Sequence, residues 1–209
     1  GDNGASAEGT VNGAWSAPSF QNGFPEDPEW LLDHMDDFGS ARCENHYNLA
    51  WAWALDSPFQ WMKQIASHFG GTRNAMAVQW PARIKDAGGL RSNFHHVTDI
   101  APTIYDILGV TPPDSYRGFE QMPISGTSLR YAFQAPDAPT SKKVQYFEMT
   151  GHRAIYADGW KAVTRHEPGT SFDDDNWELY HVSVDRSECN NLASSNPEKL
   201  AELIELWWH

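Results

Sequence analysis

An acidic residue and an amide stand side by side at Asp2 and Asn3, in the opening stretch GDNGASAEG. Carboxylate and amide oxygens are hard ligands, which suit Ca²⁺ or Mg²⁺ better than Zn²⁺. A DNG triplet also forms turns in which the Asp and Asn side chains bond their own backbone. Residue type alone therefore leaves two interpretations open, part of a cation site and an ordinary turn.

A lysine and a histidine precede a Gly-Gly pair in the stretch PFQWMKQIASHFGG. The ammonium group of Lys63 could face sulfate or phosphate oxygens as a compact point charge. His68 could donate to an anion or act as an acid. A solvated lysine and a histidine packed among aromatic rings are the structural alternatives. Arg73, just after the glycines, equally suits pinning a loop and contacting a substrate.

The other clusters of polar residues are weaker signals. His95 and His96 are adjacent, so their side chains diverge on a helix or a strand and make a poor metal site. The acidic run at 173–175 is typical of a solvated loop. Cys43 and Cys189 lack metal-binding or redox spacing. No GxSxG, HExxH or phosphate-binding loop occurs in the sequence.

Composition indicates a globular chain. Its 209 residues are 40% hydrophobic and include ten tryptophans, unlike a disordered sequence. The formal net charge of −13 argues against nucleic acid as a partner, because binding phosphates requires clustered Lys and Arg. No apolar run approaches the roughly 18 residues of a membrane span. The compartment stays unknown, with cytoplasm and periplasm both open.

The first part of the sequence predicts alternating helices and strands. A long irregular region holds one short helix in EWLLDHMDDFG, ending at Gly39. The apolar run from 75 to 80 predicts a buried strand of a parallel sheet. HHVTDIAPTIYDILGV predicts a helix capped by Thr98 or Asp99, with one apolar face, that ends at Gly109.

The second part predicts a small antiparallel module. VQYFEMT, RAIYA, KAVTR and WELYHV read as strands, with a hairpin turn at Asp158-Gly159. A final helix begins at Pro197 after an N-cap at Asn196. The Pro/Ser/Lys stretch QAPDAPTSKK separates the parts. We therefore predict an α/β portion over 1–135 and, over 136–209, an antiparallel β subdomain with a C-terminal helix.

In order along the chain, these segments resemble the C-terminal part of type I sulfatases, the arylsulfatase family within the alkaline phosphatase superfamily. GDNGASAEG is similar to the (S/G)DNG(A/G)xxxG metal motif of that family. PFQWMKQIASHFGGTRNAMAVQWPARI resembles the segment in which a lysine precedes a GGxR turn and an xxVxWP strand. HHVTDIAPTIYDILGV, RAIYADGWKAV and WELYHVSVDRSECNNLA match the family's later helix and closing β-module. The resemblance implies an alkaline-phosphatase-like fold.

The resemblance also implies roles for four residues. Asp2 and Asn3 would be ligands of an active-site cation, Ca²⁺ rather than Mg²⁺. Lys63 would contact the oxygens of the sulfate ester. ASHFGG is one residue longer than the commoner TxEGG form, and Phe69 replaces an acidic residue. His68 is therefore a second candidate for the position near the substrate.

The family's nucleophile is a formylglycine made within a CxPxR or SxPxR motif, which neither cysteine of this chain fits. We therefore expect the nucleophile and further metal ligands to lie in an N-terminal part outside these residues, and the chain to be inactive alone. The expected partners are that part and a small sulfate ester, of aryl sulfate type. Two alternatives stay open: a phosphonate or phosphate ester hydrolase, and a calcium-stabilised binding module that uses tryptophan-rich loops.

Overall fold

The computed structural model describes residues 3–209. Its helices are α1 (Ala17–Gln21), α2 (Pro28–Asp33), α3 (Leu49–Asp56), α4 (Phe69–Thr72), α5 (Ile100–Leu108) and α6 (Pro197–Trp208). Its strands are β1 (Ser115–Tyr116), β2 (Phe119–Glu120), β3 (Val144–Met149), β4 (His152–Ala157), β5 (Trp160–Thr164) and β6 (Trp177–His181). No described helix has the length and apolar character needed to cross a membrane.

The chain forms two compact units. One contains Tyr146–His209 and the described part of Gly1–Met76, and the other is Ala77–Gln145. The first unit thus joins a segment from the start of the chain to the C-terminal strands. The sequence boundary at residue 135 stays a prediction.

A four-stranded sheet has the order β3-β4-β5-β6. β4 pairs antiparallel with β5, and β5 pairs antiparallel with β6. The turn between β4 and β5 has two left-handed residues, Asp158 at φ 45° and Gly159 at φ 88°. Two positive φ values produce the hairpin twist that an Asp-Gly pair favours. The predicted antiparallel hairpin is confirmed.

Helix α6 covers this sheet and closes its core. Leu203 of α6 is fully buried in one apolar cluster with Ile155, Ala162 and Leu179 of the strands. Pro197 occupies the first turn of α6, where its missing N–H removes no helical hydrogen bond. Asn196 precedes it without a side-chain cap bond. The predicted fold class, mixed α/β with a small antiparallel module and a C-terminal helix, is confirmed.

The predicted helix of the second unit is also present as α5. It ends at Gly109, whose left-handed φ of 65° allows the C-cap. A short 3-10 turn over Val97–Asp99 precedes it, and the Asp99 carboxylate accepts the His96 N–H at 2.9 Å. Asp99 therefore stabilises the turn before the helix, and its side chain does not cap α5 itself.

Two apolar features of the sequence are exposed, and one of them was predicted to be a buried strand. The run from 75 to 80 forms no strand, and Met76 and Val78 are 55% and 45% exposed. The apolar face of α5 is also open, since Ile104 is 51% exposed and Leu108 67%. A buried strand needs hydrogen-bonded neighbours on both sides. No described strand pairs with residues 75–80, so the predicted parallel strand is wrong for this structure.

The N-terminal region is irregular, as expected, but contains three short helices, α1 to α3. The stretch predicted as one helix becomes α2 and a 3-10 turn over Met35–Asp37. Asp27 caps α2, because its side chain accepts the Glu29 N–H at 3.0 Å.

Candidate functional site

The segment from Asn3 to Glu8, called here the N-terminal segment, lies against Gly70 and Gly71 of α4. The Gly4 N–H donates to the Gly71 carbonyl at 3.1 Å. With its amide nitrogen toward the Asn3 carbonyl, Asn74 bonds both backbone groups of Asn3, at 2.6 and 3.2 Å. The Asn3 side chain is exposed, and Asp2 lies outside the described residues. Asn3 therefore lies at the surface, beside Asn74 and the end of α4.

Glycine is required where these segments meet. A Cβ on Gly4 would lie 1.7 Å from the Gly70 carbonyl oxygen. A Cβ on Gly70 would lie 2.0 Å from the Trp61 carbonyl oxygen, and one on Gly71 2.2 Å from that of Ile65. These distances are far shorter than any allowed contact, so the glycines permit three backbone segments to pack directly together.

Lys63 is bound to the N-terminal segment by its backbone and its side chain. Its N–H donates to the Ala5 carbonyl at 3.0 Å, and its Nζ donates to Glu8 Oε2 at 2.9 Å. Gln64 Nε2 donates to the other oxygen of Glu8 at 2.8 Å. The hydrogen bond from Lys63 lowers the pKa of Glu8, and partial burial opposes this shift. Glu8 is therefore the counter-ion of Lys63.

The backbone beside Lys63 is strained. Trp61 and Gln64 have φ values of 65° and 78°, in the left-handed region that residues other than glycine rarely adopt. Such conformations persist only where surrounding contacts hold them, and they concentrate at functional sites. Lys63 is thus held in a defined place between two strained residues.

His68 points into the protein and is 2% exposed. Its Nδ1 lies 2.9 Å from Ser67 Oγ, and its Nε2 lies 3.6 Å from Glu178 Oε2 on β6. Contact with His68 lowers the pKa of Glu178, against the effect of burial. Tyr180 also donates its hydroxyl proton to Glu178, and burial raises the pKa of Tyr180. His68 is therefore a buried member of a polar network that reaches the surface at Glu178, whose side chain is 38% exposed.

Arg73, His95 and the acidic run at 173–175 have structural partners. The Arg73 guanidinium donates to the Arg186 carbonyl at 3.1 Å and lies over the rings of Phe59 and Phe69. His95 Nδ1 lies 2.9 Å from Asp99. Asp175, the last residue of the acidic run, contacts Arg153 and His166. These contacts favour the structural interpretation of each group.

Sequence reasoning missed the three glutamates of this region, Glu8, Glu178 and Glu188. Glu8 lies within the stretch GDNGASAEG, so the sequence contains a carboxylate that could pair with the candidate lysine. Glu178 and Glu188 carry no such signal. Glu178 reaches His68 from β6, and Glu188 accepts the Phe69 N–H at 2.8 Å from the loop after β6. No local pattern encodes these contacts.

Of the two predicted cation ligands, Asn3 lies within the described residues. Asn3 offers a hard amide oxygen on an exposed side chain, which suits Ca²⁺ chemistry. No group of three or more His, Cys, Asp or Glu side chains within residues 3–209 is arranged to hold a metal.

No family model matches the chain. The chain is 30% identical over 182 residues to an uncharacterised sulfatase of Schizosaccharomyces pombe (strain 972), and the match covers 86% of this chain and 32% of that protein. The chain thus spans about a third of the length of this curated relative.

The solved structures that are similar to this chain include the following two. One is BT33336S-sulf, described under glycosaminoglycan metabolism by Bacteroides thetaiotaomicron, with a TM-score of 0.51 and 22% identity over 68% of this chain and 30% of that chain. The other is Ps i-CgsB, with a TM-score of 0.39 and 21% identity over 55% of this chain and 23% of that chain. The first supports the fold.

Proposed function

From the similarity of this chain to sulfatases, we propose that it forms part of an enzyme that hydrolyses sulfate monoesters, converting R–O–SO₃⁻ and water to R–OH and HSO₄⁻. One observation carries the proposal. Lys63 and Glu8 are 55 residues apart in sequence, yet the fold joins their two segments by backbone and side-chain hydrogen bonds. The two stretches that resemble sulfatase site motifs therefore lie together.

In this proposal Lys63 contacts the oxygens of the sulfate ester. Its side chain is partly exposed, at 32%, and its ammonium group is already oriented by Glu8. A sulfate oxygen would replace the Glu8 oxygen as hydrogen-bond acceptor. The positive charge would then stabilise negative charge that grows on the leaving group in the transition state.

His68 remains a proposed residue of the same site, and its burial favours an indirect role. Its ring contacts the buried Ser67 and the partly exposed Glu178. We propose that it supports the segment that carries Lys63, because a side chain only 2% exposed offers little surface to a substrate.

We propose Asp2 and Asn3 as two oxygen ligands of a Ca²⁺ ion. The cation would supply positive charge opposite the sulfate oxygens. The nucleophile, which the resemblance implies to be a formylglycine, is proposed to lie outside these 209 residues. An aryl sulfate is the proposed substrate type, and we expect the chain by itself not to turn it over.

Titration of the chain with inorganic sulfate tests this assignment. We expect sulfate to shift the NMR signals of the Lys63 side chain with a dissociation constant in the range of about 1–10 mM. Glu8→Gln should strengthen binding, since it removes the competing carboxylate, and Lys63→Met should abolish it. Lys85→Met is the matched control, because Lys85 is exposed and its Nζ donates to the Pro81 carbonyl at 2.9 Å.

Two results would refute the assignment: sulfate that shifts Lys85 as strongly as Lys63, or undiminished binding by Lys63→Met. A parallel titration with phosphate addresses the alternative substrate class. Clearly tighter binding of phosphate than of sulfate at equal ionic strength would favour the phosphate ester hydrolase.

A further inference from the structure

Glu188 lies in the loop between β6 and α6, and its side chain is 0% exposed. The Asp185 carboxylate holds this loop, because it accepts the N–H groups of Cys189 and Asn190 at 3.1 and 2.8 Å. Glu188 has a left-handed φ of 56°, which is costly for a residue other than glycine. The loop therefore presents a carboxylate to the interior through a constrained backbone conformation.

Two donors from different parts of the fold meet at this carboxylate. Lys161 Nζ, from β5, donates to Oε1 at 2.6 Å, and the Phe69 N–H, at the start of α4, donates to Oε2 at 2.8 Å. The Lys161 ammonium also lies 3.8 Å from the centroid of the Phe69 ring. Glu188 thus links the sheet directly to the segment that carries His68 and Lys63.

A buried ion pair is a poor device for stability alone. Burial lowers the pKa of Lys161, and Glu188 opposes that shift. Removing one partner of such a pair leaves an uncompensated charge, whereas replacing both with apolar residues often costs little. An apolar pair could not accept the Phe69 N–H, however. That hydrogen bond is what the carboxylate provides beyond packing.

Further contacts fix the same segment at both ends. Gln60 Nε2 donates to the Glu188 carbonyl, and the Arg73 guanidinium donates to the Arg186 carbonyl at 3.1 Å. Lys63 lies between these anchors, where the backbone is strained. The loop around Glu188 therefore holds the segment on either side of Lys63, and strain beside Lys63 persists because these contacts restrain it.

We propose that Glu188 is a positioning residue for Lys63, acting through its hydrogen bond to the Phe69 N–H. The proposal rests on the proposed function, because Lys63 is the group assigned to the sulfate ester. It adds that the C-terminal strands and the loop after them set the place of that group. Glu188 itself touches no substrate.

Two double variants of the chain separate the hydrogen bond from the charge. Lys161→Met/Glu188→Gln removes both charges but keeps an amide oxygen that can accept the Phe69 N–H. Lys161→Met/Glu188→Leu removes both charges and the acceptor. The control is Lys142→Met/Asp99→Asn, which neutralises a different buried ion pair, with Nζ 2.8 Å from Oδ1. All three proteins are compared by amide hydrogen exchange and by NMR of the Lys63 and His68 side chains.

We expect the Phe69 amide to exchange roughly tenfold faster in the Leu variant than in the wild type, relative to amides of β5. The Lys63 and His68 signals should move in the same variant. In the Gln variant both readouts should stay close to wild type, and this rescue distinguishes a hydrogen-bond acceptor from a buried charge. The control variant should leave the Phe69 amide and the Lys63 signals unchanged.

Three outcomes would overturn the proposal: equal Phe69 protection in the Leu and Gln variants, Lys63 signals unmoved when that protection is lost, or a matching change in the control. None of these readouts uses sulfate or turnover. Failure of the sulfate titration would therefore refute the proposed function while leaving the positioning of Lys63 established or refuted by its own measurements.

Discussion

The Nζ atom of Lys63 lies 2.9 Å from Oε2 of Glu8, so the candidate anion-binding cation carries its own counter-ion. The two side chains are 32% and 24% exposed. Partial exposure keeps such a pair weak, at about 1 kcal/mol or less, because water screens both charges. A pair of that strength orients the lysine and can still open to admit an anion.

The first prediction concerns pH. The hydrogen bond from Lys63 lowers the pKa of Glu8 below its ordinary value of 4.5. A carboxyl group with a lowered folded-state pKa stabilises the fold fully above its unfolded pKa, and this contribution is lost as pH falls through the folded pKa. Lys63→Met should therefore raise the pKa of Glu8, followed by carbon NMR of its carboxyl group. Arg42→Met, which breaks an exposed pair with Asp37, is the control and should leave Glu8 unchanged.

An unchanged Glu8 titration in Lys63→Met would show that the ion pair does not exist in solution. It would also remove the explanation for the predicted gain in sulfate binding by Glu8→Gln.

The second prediction concerns Gly4. A Cβ at this position would meet the Gly70 carbonyl oxygen at 1.7 Å, so Gly4→Ala must push two backbone segments apart. We expect a loss of about 3 kcal/mol in the free energy of unfolding, measured with urea. Gly23→Ala is the control, because Gly23 has open space around its Cβ position and only a left-handed φ of 70°. Its cost should be about 1 kcal/mol.

A Gly4→Ala protein as stable as Gly23→Ala would mean that the N-terminal segment is not packed against Gly70 and Gly71 of α4. The proposed site would then lose the contact that brings its two motifs together.

Local chemistry accounts for the elements that the sequence predicted correctly. Asp158-Gly159 supplies two positive φ values for a hairpin, and Gly109 supplies one for the end of α5. Pro197 begins α6 because its missing N–H costs nothing there. Each of these features depends on residues within one turn, so the sequence pattern alone specifies it.

The run from 75 to 80 shows why other features could not be predicted. An apolar run predicts burial, but a strand exists only where neighbouring strands pair with it, and no described strand does so. Likewise, Glu188 reaches Phe69 across 119 residues of sequence. A contact between residues so far apart in sequence follows from the assembled fold, and neither residue type predicts it.

The third prediction concerns the buried carboxylate of Asp99, which is 0% exposed. It accepts hydrogen bonds from Lys142 Nζ and the Thr127 N–H at 2.8 Å, and from the His96 N–H at 2.9 Å. Burial raises its pKa, but these bonds outweigh burial and lower it overall. Asp99→Asn should cost about 3–5 kcal/mol in the free energy of unfolding, because Lys142 is left buried without a countercharge.

Addition of Lys142→Met to Asp99→Asn should recover part of this loss, since no buried charge then remains. Glu202→Gln is the exposed control, because it breaks a surface pair with Lys199 and should cost at most about 0.5 kcal/mol. Equal effects of Asp99→Asn and Glu202→Gln in urea unfolding would contradict the prediction.

The last prediction concerns the open apolar face of α5, where Ile104 and Leu108 are 51% and 67% exposed. Exposed apolar patches promote association, because water is released when two such faces meet. Ile104→Lys/Leu108→Lys should therefore reduce concentration-dependent light scattering by the chain without lowering the urea midpoint, as neither side chain contributes to a described core. Ile155→Lys is the opposite case, because Ile155 is 2% exposed within the sheet core, and this substitution should unfold the protein.

If the double variant loses stability as Ile155→Lys does, the apolar face of α5 is packed in solution and the prediction is wrong. If scattering is unchanged at equal stability, association uses another surface, such as the one at Met76 and Val78.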